Sequence, residues 1–142
     1  MSSSTRAWLY SVGFGVAGLL LLWWATQQRD AWREIAGSQF MMPVGRISMW
    51  HLTIVAAGLA FGLAVTASRR GRSEPHVVIP AVLAVVPLAG LLYFYVWILG
   101  WWATALPLRL DRFLLDQGTQ VAFPLVLGFL LSGMIGLSSD LA

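Results

Sequence analysis

The sequence contains no cysteine and no lysine, and charged residues make up only 11% of its 142 positions. Without cysteine the chain can form neither a disulfide framework nor a thiolate metal site, and its redox compartment cannot be inferred from cysteine usage. Soluble domains carry about 25% charged residues, so this composition, with 58% hydrophobic residues, is suited to lipid. Nine arginines against six acidic residues leave a net charge of +3. This charge fits anionic headgroups but is too small and too scattered to indicate binding of nucleic acid.

Charge is missing altogether from four long apolar stretches of the chain. At a rise of about 1.5 Å per residue, helices of this length cross a hydrocarbon core that is about 30 Å thick. We therefore predict an all-α, polytopic integral membrane protein that forms one domain over residues 1–142. Its four transmembrane helices are expected at about 8–25, 50–68, 77–99 and 119–137.

The absence of charge inside these spans also limits the function. Pathways for ions or protons through a membrane normally need ionisable residues within the membrane. The sequence shows no Ser/His/Asp arrangement, no pair of carboxylates positioned for acid–base chemistry and no phosphate-binding loop. We therefore expect no catalytic residues. A channel or transporter built from several copies of the chain would need a polar pore that these spans do not supply.

Two connections carry patterns typical of short helices that lie in the membrane interface. In the first connection, residues 26–37 (TQQRDAWREIAG) place Asp30 three positions before Arg33, with apolar residues on a neighbouring face. In the third connection, residues 106–116 separate a charged side from an apolar side. We predict one short interfacial helix in each.

The second connection, residues 69–76 (RRGRSEPH), is short and rich in arginine. Short basic loops are retained in the cytoplasm. We therefore expect this loop and both termini to be cytoplasmic, and the two longer connections to face the other side of a bacterial plasma membrane.

Small residues recur at a spacing of four along the second and fourth spans. This spacing makes a groove in which a second helix backbone approaches closely, and such packing is a main attraction between helices in lipid. The sequence does not decide whether the second helix belongs to this chain or to another subunit. The predicted packing residues are Gly58, Gly62, Gly128, Ser132 and Gly136, and the first span has similar pairs at Ser11/Gly15 and Gly13/Ala17.

Seven of the eight tryptophans fall at or beyond the same predicted membrane face. One interpretation is an aromatic belt, because indole rings favour the headgroup level. A belt usually occupies both faces, so the alternative is a flat aromatic surface that packs against a partner protein, a quinone or a pigment. These tryptophans are Trp23, Trp24, Trp32, Trp50, Trp97, Trp101 and Trp102.

The two histidines lie at opposite ends of the predicted spans. His51 begins the second span and His76 precedes the third, so they should be roughly 30 Å apart and cannot ligate one haem iron. A haem that is bound by one of these histidines and by a residue of a partner subunit stays an alternative. Copper is a further alternative, because thioether and imidazole groups suit Cu(I) and three methionines are near His51. These methionines are Met41, Met42 and Met49.

Two functions follow as expectations. The first is a non-catalytic accessory or structural subunit of a larger bacterial membrane complex for respiratory or photosynthetic energy transduction, in contact with other membrane subunits and lipids. The second is a small redox membrane protein that binds haem, quinone or copper. The candidate cofactor-binding residues are His51, Trp50, Trp97 and Trp101.

Overall fold

The computed structural model describes residues 3–39, 42–68, 78–99 and 113–135. This part of the chain is all-helical and contains four helices that are long and apolar enough to cross a membrane. The prediction of an all-α chain with four candidate spans is therefore confirmed. The helices are α1 (Ser3–Gln39), α2 (Val44–Ser68), α3 (Val78–Ile98) and α4 (Gln117–Ile135).

The first helix is much longer than its predicted span. With 37 residues, α1 is about 55 Å long, well beyond the roughly 30 Å of a hydrocarbon core. Residues 26–37 continue this helix without a break, so the separate interfacial helix predicted for the first connection is not confirmed. Most of the second predicted interfacial helix, residues 106–116, lies outside the described residues, and 113–115 form a single helical turn.

The start of α4 is capped by an aspartate. The Asp116 carboxylate accepts a hydrogen bond from the backbone N–H of Gly118 at 2.8 Å, and the Asp116 carbonyl accepts one from Gln120 N–H at 3.0 Å. A carboxylate in this position satisfies a backbone donor that has no partner within the helix. The cap therefore explains why α4 begins at Gln117, two residues before the predicted start of the span.

The second helix lies between α1 and α4. Its contact with α1 is antiparallel, because the Ser11 hydroxyl donates to the Ala64 carbonyl at 2.9 Å and the Thr53 hydroxyl donates to Gln28 Oε1 at 2.9 Å. A residue early in α1 therefore meets a residue late in α2, and the reverse holds at the other end. These contacts give the two helices opposite directions.

The contact between α2 and α4 is parallel and very close. A Cβ atom added at Gly58 would overlap the carbonyl oxygen of Leu125, and one added at Gly62 would overlap the hydroxyl of Ser132. From the other side, a Cβ at Gly128 would overlap the carbonyl oxygen of Val55. The two backbones thus touch wherever a glycine removes the side chain between them.

The third helix packs on α4. The ring of Phe123 lies where a Cβ of Gly90 would stand, and Pro80 lies opposite Gly133. The earlier residue of α3, Pro80, meets the later residue of α4, Gly133, and Gly90 meets Phe123, so α3 and α4 are antiparallel. The four helices therefore alternate in direction along the chain, with α2 and α4 adjacent and parallel.

The apolar core lies near the start of α2. Ala25 of α1 and Ile47, Trp50 and Ile54 of α2 are buried there. Side chains from α1, α3 and α4 pack around them: Leu22, Trp32, Phe94, Ile98, Val121 and Leu125. All four helices therefore meet at this level of the structure, where the candidate site lies.

Candidate functional site

The candidate site is a buried polar cluster around His51, whose position follows from the periodicity of α2. Ile47, Trp50, His51 and Ile54 are spaced as on one face of a helix, and all four are buried. The imidazole therefore lies on the inward face, and only 4% of His51 is exposed.

One nitrogen of His51 is bound by a tyrosine of α3. His51 Nδ1 and the Tyr95 hydroxyl are 2.9 Å apart, within hydrogen-bonding distance. The side chain of Ser48, one turn before His51, lies beside the same hydroxyl. A hydroxyl can donate one hydrogen bond and accept others, so Tyr95 can bridge α2 and α3.

The other side of the imidazole faces α4. The Gln120 side chain lies next to His51 and is 3% exposed. Its amide nitrogen donates to the carbonyl of Leu114. This bond uses the donor end of the amide, so the carbonyl end remains for other partners.

Two atoms of this cluster are buried without a hydrogen-bond partner. His51 Nε2 and Gln120 Oε1 are both enclosed, yet neither meets hydrogen-bond geometry with any described group. A buried polar group without a partner costs about 1 to 3 kcal/mol. Because the two side chains lie side by side, the imidazole and the amide can interact with each other or hold a small polar group between them.

Aromatic rings enclose the histidine. The ring centroid of His51 is 4.8 Å from that of Trp50 and 5.3 Å from that of Phe94. Trp50 in turn lies 5.8 Å from Trp32, whose buried Nε1 also has no hydrogen-bond partner among the described residues. The imidazole is therefore packed among ring faces and edges, and these enclosing residues supply no charged side chain.

The predicted cofactor-binding residues have separate positions in the structure. Trp50 is 3% exposed and belongs to the core, so it is not part of an outer aromatic surface. Trp97 is half-buried on α3. Trp101, His76 and Gly136 lie outside the described residues.

The exposed tryptophans of α1 lie at a different level from Trp50. Trp32 of α1 faces Trp50, whereas Trp24 precedes Trp32 by two helical turns, or about 12 Å along the helix. Trp23 and Trp24 are 65% and 59% exposed. The described tryptophans are therefore spread along the long axis of α1 and across the core.

The methionine on α2 does not share the histidine's face. Met49 is 57% exposed, whereas His51 is buried, because positions two apart on a helix point in different directions. Met42 is 48% exposed, and Met41 lies outside the described residues. The geometry therefore does not favour a copper site made from His51 and Met49.

The sequence does not pair His51 with Tyr95 and Gln120. Tyr95 is one of several aromatic residues near the end of the third span, and Gln120 is one of few polar residues in the fourth. A rare polar residue within an apolar span indicates a hydrogen-bond partner on another helix. The identity of that partner depends on helix packing, so no local signal could supply it.

Together the fold and the cluster define a small all-α protein with four potential membrane-spanning helices and a buried His–Tyr–Gln group near one end. Comparison of the chain with protein-family models, curated proteins and solved structures found no match in any of the three.

Proposed function

We propose that this chain is a non-catalytic structural subunit of a larger bacterial membrane complex, of the respiratory or photosynthetic energy-transducing kind. The observation that carries the proposal is the exposure of α1. In the most apolar stretch of this helix only 11% of the residues are buried within the chain. The helix packs mainly on α2 and presents a long apolar face outward, with Leu19, Leu20 and Trp23 each at least 60% exposed.

The interior of the described bundle supports a structural role. The buried polar side chains there are His51, Thr119, Gln120 and Ser132, and none of them is a carboxylate, a lysine or an arginine. The glycine contacts between α2 and α4 leave no room for a polar passage between these two helices. Transport needs ionisable groups along a hydrated path. His51 is ionisable, but aromatic rings enclose it, and the glycine contacts leave no hydrated path between α2 and α4.

The first prediction concerns the size of the native particle. Tagged protein, extracted gently from its own membranes, is expected to have the mass of an assembly that contains other polypeptides. Trp23→Ala on α1 and Leu92→Ala on α3 change outward side chains without touching the core. We expect one of the two variants to lose partners while its helix content is unchanged, which identifies the partner-facing helix. A particle made only of this chain would contradict the proposal.

The proposed topology has both termini and residues 69–76 in the cytoplasm. Because the chain has no cysteine, single introduced cysteines report sidedness without background. A Thr5→Cys variant is expected to react with a membrane-impermeant maleimide only after the membrane is opened. A Ser38→Cys variant is expected to react in intact cells. The reverse pattern would contradict this orientation and leave the subunit proposal standing.

A second function is favoured by one observation, the unpaired atoms His51 Nε2 and Gln120 Oε1. We propose as the alternative a redox subunit that holds a cofactor with a polar ring substituent, such as a quinone, at this cluster. Imidazole Nε2 can donate to a quinone carbonyl when Tyr95 donates to Nδ1. A quinone in organic extracts of the purified protein would support this alternative.

A further inference from the structure

A groove of about 370 Å³ opens between the second half of α1 and the start of α2. It is distinct from the His51 cluster, because it includes the exposed face of α2 on which Met49 lies. Four residues of α1 and two of α2 line it: Trp24, Gln27, Gln28, Ala31, Arg46 and Met49.

The single charged residue in this lining is Arg46, and its charge has no partner in the described chain. The ion pair found among the described residues joins Arg29 to Asp30 at 3.2 Å. The other carboxylate of α1, Glu34, does not pair with Arg46. An unpaired guanidinium offers a planar set of donors that matches a phosphate group.

The two ends of the groove differ in chemistry. Since α1 and α2 are antiparallel, Trp24 lies towards one end and Arg46 towards the other. The side chain of Gln28 contacts the Thr53 hydroxyl between these two ends. An indole at one end and a guanidinium at the other match the acyl boundary and the headgroup of a phospholipid.

We propose that this groove binds the phosphate headgroup of an anionic membrane phospholipid through Arg46. The inference rests on the membrane insertion that the proposed function includes, and it adds a ligand class and a residue. Trp24 lies against the upper acyl region at one end of the groove, and Arg46 contacts the phosphate oxygens at the other.

The test compares the affinities of phosphatidylglycerol and phosphatidylcholine for the detergent-purified full chain by native mass spectrometry. Wild-type protein is expected to retain phosphatidylglycerol more strongly. Arg46→Gln should weaken this binding about fivefold, the loss of one arginine–lipid attraction, and leave phosphatidylcholine unchanged. Arg29→Gln is the matched control, because Arg29 is another arginine of this region but is paired with Asp30. Helix content should stay the same in both variants, since Arg46 is exposed.

Three outcomes would overturn the inference. Equal binding by Arg46→Gln and wild type would show that the groove is not the lipid site. Equal losses of phosphatidylglycerol binding in Arg46→Gln and Arg29→Gln would show that the lipid is attracted to positive charge in general and not to this groove. Displacement of phosphatidylglycerol by millimolar inorganic phosphate would show that the site takes the free anion. Arg46-dependent lipid binding by a particle made only of this chain would support the lipid site and contradict the subunit proposal.

Discussion

Replacing Gly128 by alanine is expected to separate α2 from α4 and to destabilise the fold by about 3 kcal/mol, at the upper end of the usual cost of overpacking. The new methyl group would overlap the carbonyl oxygen of Val55 and press on the backbone nitrogen of Leu59. A backbone group cannot rotate away as a side chain can, so the whole helix must move. The measurement is thermal unfolding in detergent, followed by circular dichroism.

The matched control is Gly15→Ala on α1. No heavy atom lies within 4 Å of the Cβ position at Gly15. Alanine has a higher helix propensity than glycine by about 1 kcal/mol, so this control is expected to leave the isolated chain equally or more stable. A Gly128→Ala protein as stable as wild type would contradict the close α2–α4 contact.

Because of these glycine contacts, a substitution at the small residues of the second span tests the fold of this chain before it tests assembly with a partner. Gly58 and Gly62 lie against α4 of the same chain. Replacing either with leucine would therefore disturb the fold first and assembly only as a consequence. Variants on the outward faces of α1 and α3 separate the two effects, because their side chains do not touch the core.

The second large effect is expected for His51→Ala, which should lower stability by about 3 kcal/mol. The substitution leaves a cavity between Trp50 and Phe94, and it removes the group that holds the Tyr95 hydroxyl. Chemical denaturation in detergent, followed by tryptophan fluorescence, measures the loss. Met49→Ala is the control two positions away, and its exposed side chain should change stability by less than about 0.5 kcal/mol.

The same pair of variants separates a structural histidine from a cofactor ligand. Absorbance spectra and quinone content of the wild type, His51→Ala and Met49→Ala proteins are compared after identical purification. If the quinone content is equal in all three proteins and only His51→Ala loses stability, His51 has a structural role only. Loss of a bound quinone from His51→Ala alone would favour the redox alternative.

Several features of the fold could be predicted from sequence because they depend on neighbouring residues. Runs of uncharged residues long enough for a bilayer predict four helices, and the described residues contain four candidate spans. The bounds of α3 and α4 agree with the prediction within two residues, whereas α1 and α2 extend beyond their predicted spans. The continuity of α1 was harder to predict. Residues 26–37 carry a helical pattern that fits either a separate interfacial helix or an extension of the first, and no proline or glycine before Gly37 decides between them.

The sequence by itself determined the all-helical class of the described chain, its four candidate membrane-spanning helices and the absence of charge within their predicted spans. Tertiary structure decided which small residues are contacts: Gly58 and Gly128 touch a second backbone, whereas Gly13 and Gly15 have open space beside them. It also brought His51, Tyr95 and Gln120 together from three helices. The reason is geometric, because a contact between helices depends on the rotation and register of both, and a sequence pattern specifies only one helix at a time.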